Sequence, residues 1–300
     1  MSRLARHCVA AVATVVATAA NAQSSADDTS ARAALTGYYQ FNTNLDSGGR
    51  FNWGGGIASA SFERPLSQQL SAQLAVRYEY QSWSWHQPTA FNNEAAWKNF
   101  NAPSIGLSLD YAYAQDLVLS LKPLVEWDYE SGAKTSDALT WGAVGAVTKV
   151  YSPGLALGIG LSAFRRVDKT QVLPFPIINW KISDKWRIAN PFPAGPAGGA
   201  GLEAVYSPNE RWEIAEGATY RSYRFRLATD NPTPSGIGEN NFVPIFLRVT
   251  RRLSKDARID FYAAIATFGR ASVDYENGGG RYRDDYNIGP ALAATFVLQF

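Results

Sequence analysis

The chain has 300 residues, with 28 Lys and Arg, 26 Asp and Glu, one Cys and one Met. Cys8 and Met1 lie in the first 22 residues together with Arg3 and Arg6, so the rest of the chain is formally neutral and has no thiol. A neutral chain lacks the basic excess that a nucleic-acid binder needs to neutralise phosphates. The missing thiols exclude disulfides, thiolate nucleophiles and Cys-ligated metals. An aromatic content of 13% argues against disorder.

The N-terminal residues 1–22 have the layout of a secretory signal peptide. Two arginines precede an apolar run at residues 8–20, and the small residues Ala20 and Ala22 stand three residues and one residue before the expected cleavage site. A membrane-spanning helix needs about 20 apolar residues, and this run is shorter. We therefore expect a cleavable signal peptide that directs export, followed by a short periplasmic lead-in at residues 23–33.

The remaining chain alternates apolar and polar residues with the period of two that β-strands show. From Leu70 to Gln81 every even position is apolar or aromatic, and the odd positions are mostly polar. Such runs predict fourteen strands, near residues 34–43, 52–62, 70–82, 103–113, 117–129, 139–150, 155–165, 171–182, 186–191, 200–206, 211–227, 241–252, 257–268 and 286–300. The ninth and tenth runs are the weakest, because prolines interrupt them, so twelve strands is the alternative count.

The connections between these runs alternate between short turns and longer segments, the longest at residues 83–102, 228–240 and 269–285. Short turns at one end and long loops at the other, around an even strand count, are typical of an antiparallel up-and-down transmembrane β-barrel. A soluble β-sandwich is the competing interpretation. Runs of ten residues or more favour the barrel, because a tilted bilayer crossing needs about 9–11 residues. Aromatics at the strand ends also predict two interfacial girdles: Tyr78, Tyr80, Trp127, Tyr129 and Trp141 at the long-loop end, and Tyr111, Tyr113, Trp180, Trp186 and Trp212 at the other.

The C-terminal residues carry a family resemblance. Phe296, Leu298 and Phe300 alternate with other residues and end the chain in Phe. This segment resembles the C-terminal strand of bacterial outer-membrane β-barrels, and the chain is similar in size to monomeric fourteen-stranded porins. The resemblance implies location in the bacterial outer membrane, recognition by the barrel-assembly machinery, contact with outer-membrane lipid and lipopolysaccharide, and both termini in the periplasm. It identifies no subgroup and implies no cofactor.

If the apolar faces of the strands contact lipid, the opposite faces line the lumen. The predicted lumen-lining residues are Arg77, Glu79, Asp110, Lys122, Glu126, Asp128, Arg248, Arg258 and Asp260. Centring the turn at residues 253–256 places Asp260 opposite Arg248, as a cross-strand ion pair. Such a lining suits a pore that passes small polar solutes with weak ion selectivity, although a local cluster of Glu126, Asp128 and Glu130 could favour cations. The alternative is a polar network that fills and closes the lumen.

An outer-membrane enzyme is a second hypothesis, since His86 is the one histidine after the signal peptide. Ser84 and Glu94 lie near it in sequence and would permit a dyad, but a rim histidine among tryptophans is the simpler interpretation. One histidine without cysteines argues against a metal site. We therefore expect neither catalytic residues nor metal ligands.

A third hypothesis is an interaction protein that acts through its extracellular loops. Trp85, His86 and Trp97 are the candidate binding residues, because aromatic rings stack on sugars or anchor partners. The same rings could instead pack the loop into the barrel mouth as a constriction. Pro174 and Pro176 lie inside a predicted strand and cannot donate to a ladder, so a local break in strand pairing is expected there.

Overall fold

The computed structural model describes residues 29–192, 194–197 and 200–300, so the predicted signal peptide and residues 23–28 of the lead-in lie outside the described residues. Strand β1 already begins at Ser30, within the predicted lead-in. The described strands are β1 Ser30–Asn44, β2 Arg50–Pro65, β3 Leu70–His86, β4 Asn99–Ala114, β5 Leu117–Trp127, β6 Leu139–Ser152, β7 Leu155–Arg166, β8 Lys169–Lys181, β9 Trp186–Ala189, β10 Gly201–Asn209, β11 Trp212–Thr219, β12 Arg221–Arg226, β13 Ile237–Arg252, β14 Ala257–Asp274, β15 Gly280–Tyr286 and β16 Gly289–Gln299. Short 3₁₀ turns lie at Thr89–Phe91 and Thr135–Ala138.

These strands form one closed antiparallel barrel. From β1 to β11 each strand pairs with the next, β1 also pairs with β16, and the β13–β14 pairing completes the ring. Strands β11 and β12 both pair with β13, at successive heights, and β15 and β16 both pair with β14. Each of these two pairs therefore makes one position in the wall, which gives fourteen wall strands. The fourteen-strand prediction is confirmed, and the twelve-strand alternative is excluded.

The two faces of the wall differ as the alternation predicts. Large apolar side chains such as Leu74, Val76 and Ile159 are exposed on the outer face, whereas polar and charged side chains on the opposite parity are buried. Exposed rings mark both ends of the outer face, including Tyr80 at one end and Trp186 at the other. Apolar residues outside and polar residues inside invert the arrangement of a soluble sandwich, and they match a barrel in a bilayer.

The described residues contain no helix that is long and apolar enough to cross a membrane.

The loops are distributed unevenly between the two ends. Short turns such as residues 115–116 and 153–154 lie at the end that holds Ser30 and Gln299, and longer connections such as 87–98, 128–138 and 227–236 lie at the other end. We call these the short-turn end and the long-loop end.

The prediction of a long loop at residues 269–285 is wrong. Strand β14 continues to Asp274, and β15 begins at Gly280, so the connection spans only residues 275–279. The alternation shifts by one residue at Phe268, which has a φ of 50°. Before Phe268 the even-numbered residues of β14 face the lumen. After Phe268 the buried residues are odd-numbered, such as Ala271 and Val273. A bulge therefore hid the continuing strand from a simple period-two reading.

The wall changes its pairing at the long-loop end. The Arg226 amide donates to the carbonyl of Asp128 at 3.0 Å, and the Glu130 amide donates to the carbonyl of Arg226 at 2.8 Å. Residues 128–130, which continue from β5, thus pair with β12, and Tyr129 also pairs with Asn101 of β4. Strand β12 therefore leaves the outer wall and crosses inward, and all six of its residues are buried.

Candidate functional site

The nine charged residues predicted to line the lumen all lie on the inward parity of their strands. Glu79, Asp110, Lys122, Asp128, Arg248 and Asp260 are buried, whereas Arg77, Glu126 and Arg258 are partly exposed within the barrel. Their parity and burial agree with the predicted inward placement. Their role in solute passage remains a prediction.

Glu79 is the centre of a charged network halfway up the lumen. Its carboxylate pairs with Arg77 on the same strand and lies 3.8 Å from Arg221 of β12. The hydroxyls of Tyr38 and Tyr223 each donate to its Oε1 at 3.0 Å. Only 1% of the Glu79 side chain is exposed, so the two guanidinium groups compensate a carboxylate that water cannot solvate.

A second charged group lies nearer the short-turn end, on β4 and β5. The Ser120 hydroxyl donates to Asp110, its cross-strand partner. Lys122 faces the lumen two residues further along β5, and its ammonium has no hydrogen-bond partner among the described residues. An ammonium is costly to bury without partners, and the nearby charges of Asp110 and Glu63 offset part of this cost.

The predicted register, which pairs Arg248 with Asp260, is wrong by two residues. Asp260 lies opposite Thr250, whose hydroxyl donates to its carboxylate at 2.6 Å, and Arg248 lies opposite Tyr262. The turn takes in Ala257, since the amides of residues 253 and 254 both donate to its carbonyl. A shift of two residues preserves the faces, so both groups still point inward. Arg248 instead binds Glu203 of β10 at 2.6 Å.

The acidic cluster expected at residues 126, 128 and 130 is divided between two roles. Glu126 lies 4.0 Å from Arg77 and is partly exposed to the lumen. Asp128 accepts a hydrogen bond from the Thr140 hydroxyl at 2.7 Å. Glu130 accepts from the amides of Lys98 at 2.7 Å and Ala228 at 3.0 Å, so it fastens two loops and is 2% exposed. Glu130 is therefore a structural residue and does not line the lumen as a free charge.

Aromatic side chains fill the long-loop end of the barrel. Trp53 and Trp83 stack at 5.1 Å between ring centroids, and Trp83 and Trp85 stack at 5.7 Å. We call this group the aromatic cluster; its members are Phe51, Trp53, Trp83, Trp85, Phe91, Trp97, Phe100, Tyr223, Phe225, Phe242 and Tyr286. The rings interlock edge to face, as aromatic pairs prefer.

The predicted loop-binding residues behave differently from one another. Trp97 is 0% exposed and packs on Trp83, Trp85 and Phe225. It therefore constricts the mouth and is not available to a partner, which corrects its proposed binding role. Trp85 is half-buried at the end of β3, and its indole donates to the Trp97 carbonyl at 2.8 Å. The constriction alternative is the one that the geometry supports.

His86 is exposed at the last position of β3. Within the described part of the chain, no hydrogen bond joins it to Ser84 or Glu94, and no group of three or more His, Cys, Asp or Glu side chains is placed to hold a metal ion. The geometry thus provides no support for a dyad at this position.

A segment after β9 obstructs the lumen near the short-turn end. We call it the inner segment, meaning residues 190–192 and 194–197. The Phe192 ring lies 5.4 Å from the guanidinium carbons of both Arg32 and Arg258, which belong to β1 and β14. The Arg221 side chain donates to the Ala197 carbonyl at 3.3 Å. Because β9 lies far from β1 around the ring, the inner segment crosses the lumen.

Close packing fixes the inner segment against the far wall. Gly195 has a φ of +56°, and a Cβ added there would lie 2.9 Å from the Cβ of Ala293 and 3.6 Å from the Tyr262 ring. A larger residue would therefore be strained and would collide with the wall. The sequence contained a signal for this segment, because Pro191, Pro193 and Pro196 interrupt the predicted strand. It contained none for the partners of the segment on distant strands.

The fold and the inverted faces define a fourteen-stranded transmembrane β-barrel. No protein-family model matches the sequence, and no curated protein matches it. Similar solved structures are bacterial outer-membrane barrels, the class that the C-terminal strand resembles. An outer membrane channel from Pseudomonas putida F1 has a TM-score of 0.47 at 9% identity, over 91% of this chain and 95% of that chain. A FadL homologue from Pseudomonas aeruginosa has 0.45 at 10% identity, over 91% and 90%. The NanC porin has 0.42 at 8% identity, over 89% and 98%. These likenesses concern the barrel alone.

Proposed function

We propose that this chain is an outer-membrane channel through which small polar solutes diffuse passively, without a cofactor or a catalytic step. The observation that carries the proposal is the charged inner face of the barrel, on which the inward-facing side chains of Arg77, Glu126 and Arg258 stay partly exposed. Polar side chains that fill and close a lumen would satisfy one another. The surface that these three side chains keep exposed supports a lumen that the polar network does not fill.

The lining supports passage with little preference for either ion sign. Arg77 and Glu126 expose 28% and 13% of their side chains to the lumen. Arg258, at 31%, stands beside Asp260. Basic and acidic groups therefore lie close together along the wall, so their electric fields largely cancel. Salt screens what remains beyond a Debye length of about 8–10 Å.

Two obstructions limit the size of the solute. The aromatic cluster occupies the long-loop end, and the inner segment crosses the lumen near the short-turn end. The described contacts of the inner segment lie on β1, β11, β12, β14 and β16. The proposed path follows the other wall, β3 to β6, past Lys122 and Arg77.

A second candidate function is binding at the long-loop end. A cleft of about 840 Å³ lies outside the wall there, lined by both charge signs, including Lys169, Glu239, Arg270 and Asp285. Such a balanced polar cleft suits an uncharged or zwitterionic ligand. It would become the main candidate if the folded barrel passed no solute.

Osmotic swelling of liposomes that contain the refolded barrel tests the proposed channel. We expect swelling with glycine and with other small polar solutes, and slower swelling as the solute grows from a monosaccharide to a trisaccharide. Liposomes without protein are the control. Swelling rates that equal this control, from a barrel with the compact gel mobility of folded protein, would contradict the proposal and move attention to the cleft.

A further inference from the structure

An acidic side chain lies on the lipid-facing side of the wall. Glu216 of β11 is exposed and shares its parity with the exposed side chains of Trp212 and Ile214, whereas Glu213 and Ala215 are buried on the lumen side. Glu216 therefore belongs to the outer face. A carboxyl group at this position contrasts with the apolar residues that a transmembrane barrel turns towards lipid.

Glu216 lies inside the apolar band of the membrane. On the same face, Trp212 stands four residues before it at the short-turn end, and Tyr220, four residues after it, lines the polar cleft at the long-loop end. At a rise of about 3.3 Å per residue and a tilt of about 45°, four residues span about 9 Å along the membrane normal. Because the apolar band is about 25 Å tall, Glu216 is well removed from both polar boundaries.

The neighbours of Glu216 on the outer face are apolar. Across the ladder it lies between Ala204 of β10 and Leu247 of β13, and Ile214 and Ala218 flank it along β11. Within the described part of the chain, no hydrogen bond or ion pair includes its side chain. A polar group without a partner is costly in hydrocarbon, where water does not solvate it. The carboxyl group therefore requires a partner from outside this chain.

Other charged side chains of the outer face lie near the ends of the barrel. Lys149 is 3.7 Å from the turn residue Asp116, Arg165 stands beside the tip of the β7–β8 hairpin, and the Arg251 guanidinium lies over the Trp212 ring. Among the described residues, Glu216 is the one acidic or basic side chain on the outer face that lies away from both ends. Its position is thus exceptional and not part of a general pattern.

Glu216 also belongs to the shortest part of the wall. Strands β9, β10 and β11 have 4, 9 and 8 residues, whereas β2 and β3 have 16 and 17. Strand β9 pairs with β8 over three residue pairs, and none of these includes Pro174 or Pro176. Few ladder hydrogen bonds hold this part of the wall, so a second protein packed on its outer face would stabilise it.

The surface around Glu216 suits close packing against another protein. Ala204 and Ala218 beside it are small, which lets a facing backbone approach the carboxyl group. Larger apolar side chains surround this centre and are exposed: Leu202, Ile214, Ile245 and Leu247. In lipid, close van der Waals packing and hydrogen bonds between chains drive association, and this surface offers both.

A second copy of this chain supplies a matching group at the right depth. Two copies inserted in the same direction are related by an axis along the membrane normal, so equivalent residues lie at equal depth. A protonated carboxyl group both donates and accepts a hydrogen bond, so two carboxyl groups that meet on this axis satisfy each other. Lipid headgroups lie at the polar boundaries, about 9 Å away.

We propose that the outer face of β10, β11 and β13 is a dimer interface, in which Glu216 meets Glu216 of a second copy on a twofold axis within the bilayer. The carboxyl pair fixes how the two barrels meet, because a displaced arrangement leaves two unpartnered carboxyl groups in hydrocarbon. The two lumens remain separate. The inference therefore goes beyond the proposed channel, and either one can fail without the other.

Disulfide formation tests the position of the axis. Residues 23–300 contain no Cys, so an introduced Cys reports on one position. Glu216→Cys, oxidised with copper phenanthroline in membranes of the expressing cells, should give a covalent dimer. The control is Ile159→Cys, which faces lipid on β7 four residues from Leu155, the partner of Trp180.

We expect about fivefold more dimer from Glu216→Cys than from Ile159→Cys, because a disulfide requires Cβ atoms about 4 Å apart. Equal yields from the two variants would overturn the interface. Crosslinking of residue 216 to a protein of a different mass alone would overturn the second copy as the partner.

Association in liposomes tests the carboxyl group itself. Barrels labelled with a donor or an acceptor dye through Asp230→Cys, in the exposed part of the long loop, report association by energy transfer. Glu216→Leu should weaken association about three- to tenfold, as expected for the loss of a hydrogen bond between chains in lipid. Glu210→Leu removes the same group from an exposed short turn and should leave association unchanged.

Stability distinguishes an interface from a structural role of Glu216 within one barrel. Glu216→Leu places an apolar side chain on the lipid-facing wall, so in dilute micelles, where each barrel is alone, the variant should unfold at a higher urea concentration than wild type. A variant that loses both association and stability would assign the carboxyl group to the fold of a single barrel and overturn the proposal. Equal energy transfer in wild type and Glu216→Leu would overturn it as well, whether or not the barrel passes polar solutes.

Discussion

Arg224 of β12 holds Asp168, at the tip of the β7–β8 hairpin, through two hydrogen bonds. Nε donates to Oδ1 at 2.8 Å and Nη2 donates to Oδ2 at 2.7 Å. The same guanidinium binds Glu239 and lies 3.1 Å from Asp274. The tip of the β7–β8 hairpin is thus fastened through Arg224 to β12, β13 and β14.

Asp168→Asn should loosen the tip of this hairpin. The variant loses a paired charge, and hydrogen bonds to charged groups stabilise by about 1.5–3 kcal/mol, less where solvent screens them. We expect amide hydrogen exchange at residues 166–170 to become about five- to tenfold faster at neutral pH. Asp184→Asn, in an exposed turn at the opposite end, is the matched control and should not change this exchange. Equal protection in wild type and Asp168→Asn would show that the contact fastens nothing.

The same contact has a defined pH dependence. Burial favours the neutral acid, but the hydrogen bonds and charge of Arg224 outweigh it, so the pKa of Asp168 lies below its usual value. A lowered pKa in the folded state contributes stability above the unfolded pKa of about 3.9, and this is lost as pH falls through the folded value. Exchange at the hairpin tip, corrected for intrinsic rates, should therefore stay constant from pH 7 to about pH 4 and rise only below it. A rise near pH 6 would contradict the assignment to Asp168.

Glu79→Gln should destabilise the whole barrel. The substitution leaves the buried guanidinium of Arg221 and its neighbour Arg77 without their shared carboxylate, and breaking a buried ion pair costs about 3–5 kcal/mol. Unfolding by urea in detergent micelles would measure the change in free energy. Glu126→Gln removes a partly exposed carboxylate 4.0 Å from Arg77 and should cost less than about 1 kcal/mol. Similar losses for both variants would contradict the central role of Glu79.

Lys122→Glu should move the channel towards cation preference. Lys122 lies on the inward parity of β5 without a hydrogen-bond partner among the described residues, and its replacement adds a third carboxylate near Asp110 and Glu63. We expect the permeability ratio of potassium to chloride, from reversal potentials in a salt gradient, to rise about twofold or more. Lys185→Glu, exposed in a short turn, makes the same charge change away from the lumen. An equal shift in both variants would place the effect at the surface and not in the lumen.

Phe192→Ala should widen the path through the lumen. Its ring stands between Arg32 and Arg258, and each cation–π contact stabilises by about 0.5–2 kcal/mol. Without the ring the inner segment loses its anchor on the far wall, so conductance should increase and fluctuate more. Phe41→Ala, on the exposed outer face, is the control. Unchanged conductance in Phe192→Ala would show that the inner segment does not limit the path.

The strand pattern was predictable because one physical constraint acts at every position. Lipid outside and water inside force the alternation, so residues 70–81 alone reveal both the strand and its faces. The inward placement of Arg77 and Lys122 follows from the same parity. Pro174 and Pro176 also predicted the break in pairing at β8, since proline removes a ladder donor whatever its surroundings.

What the sequence did not reveal depends on contacts between distant residues. Nothing local in residues 221–226 indicates that β12 leaves the wall to pair with residues 128–130. The partner of Arg248 was misplaced because the turn length alone did not define the register, which pairs Arg248 with Tyr262. Phe192 was not a candidate, because its partners Arg32 and Arg258 lie on strands that only the closed ring brings near.

Single-channel recording tests the central claim, that solutes pass through a lumen narrowed by the inner segment. The refolded barrel, residues 23–300, would be compared in a planar bilayer with a variant in which a short Gly-Ser linker replaces residues 191–197. We predict stable conductance steps from both proteins, with larger steps from the variant. Folded protein that gives no steps in either form would contradict a polar channel.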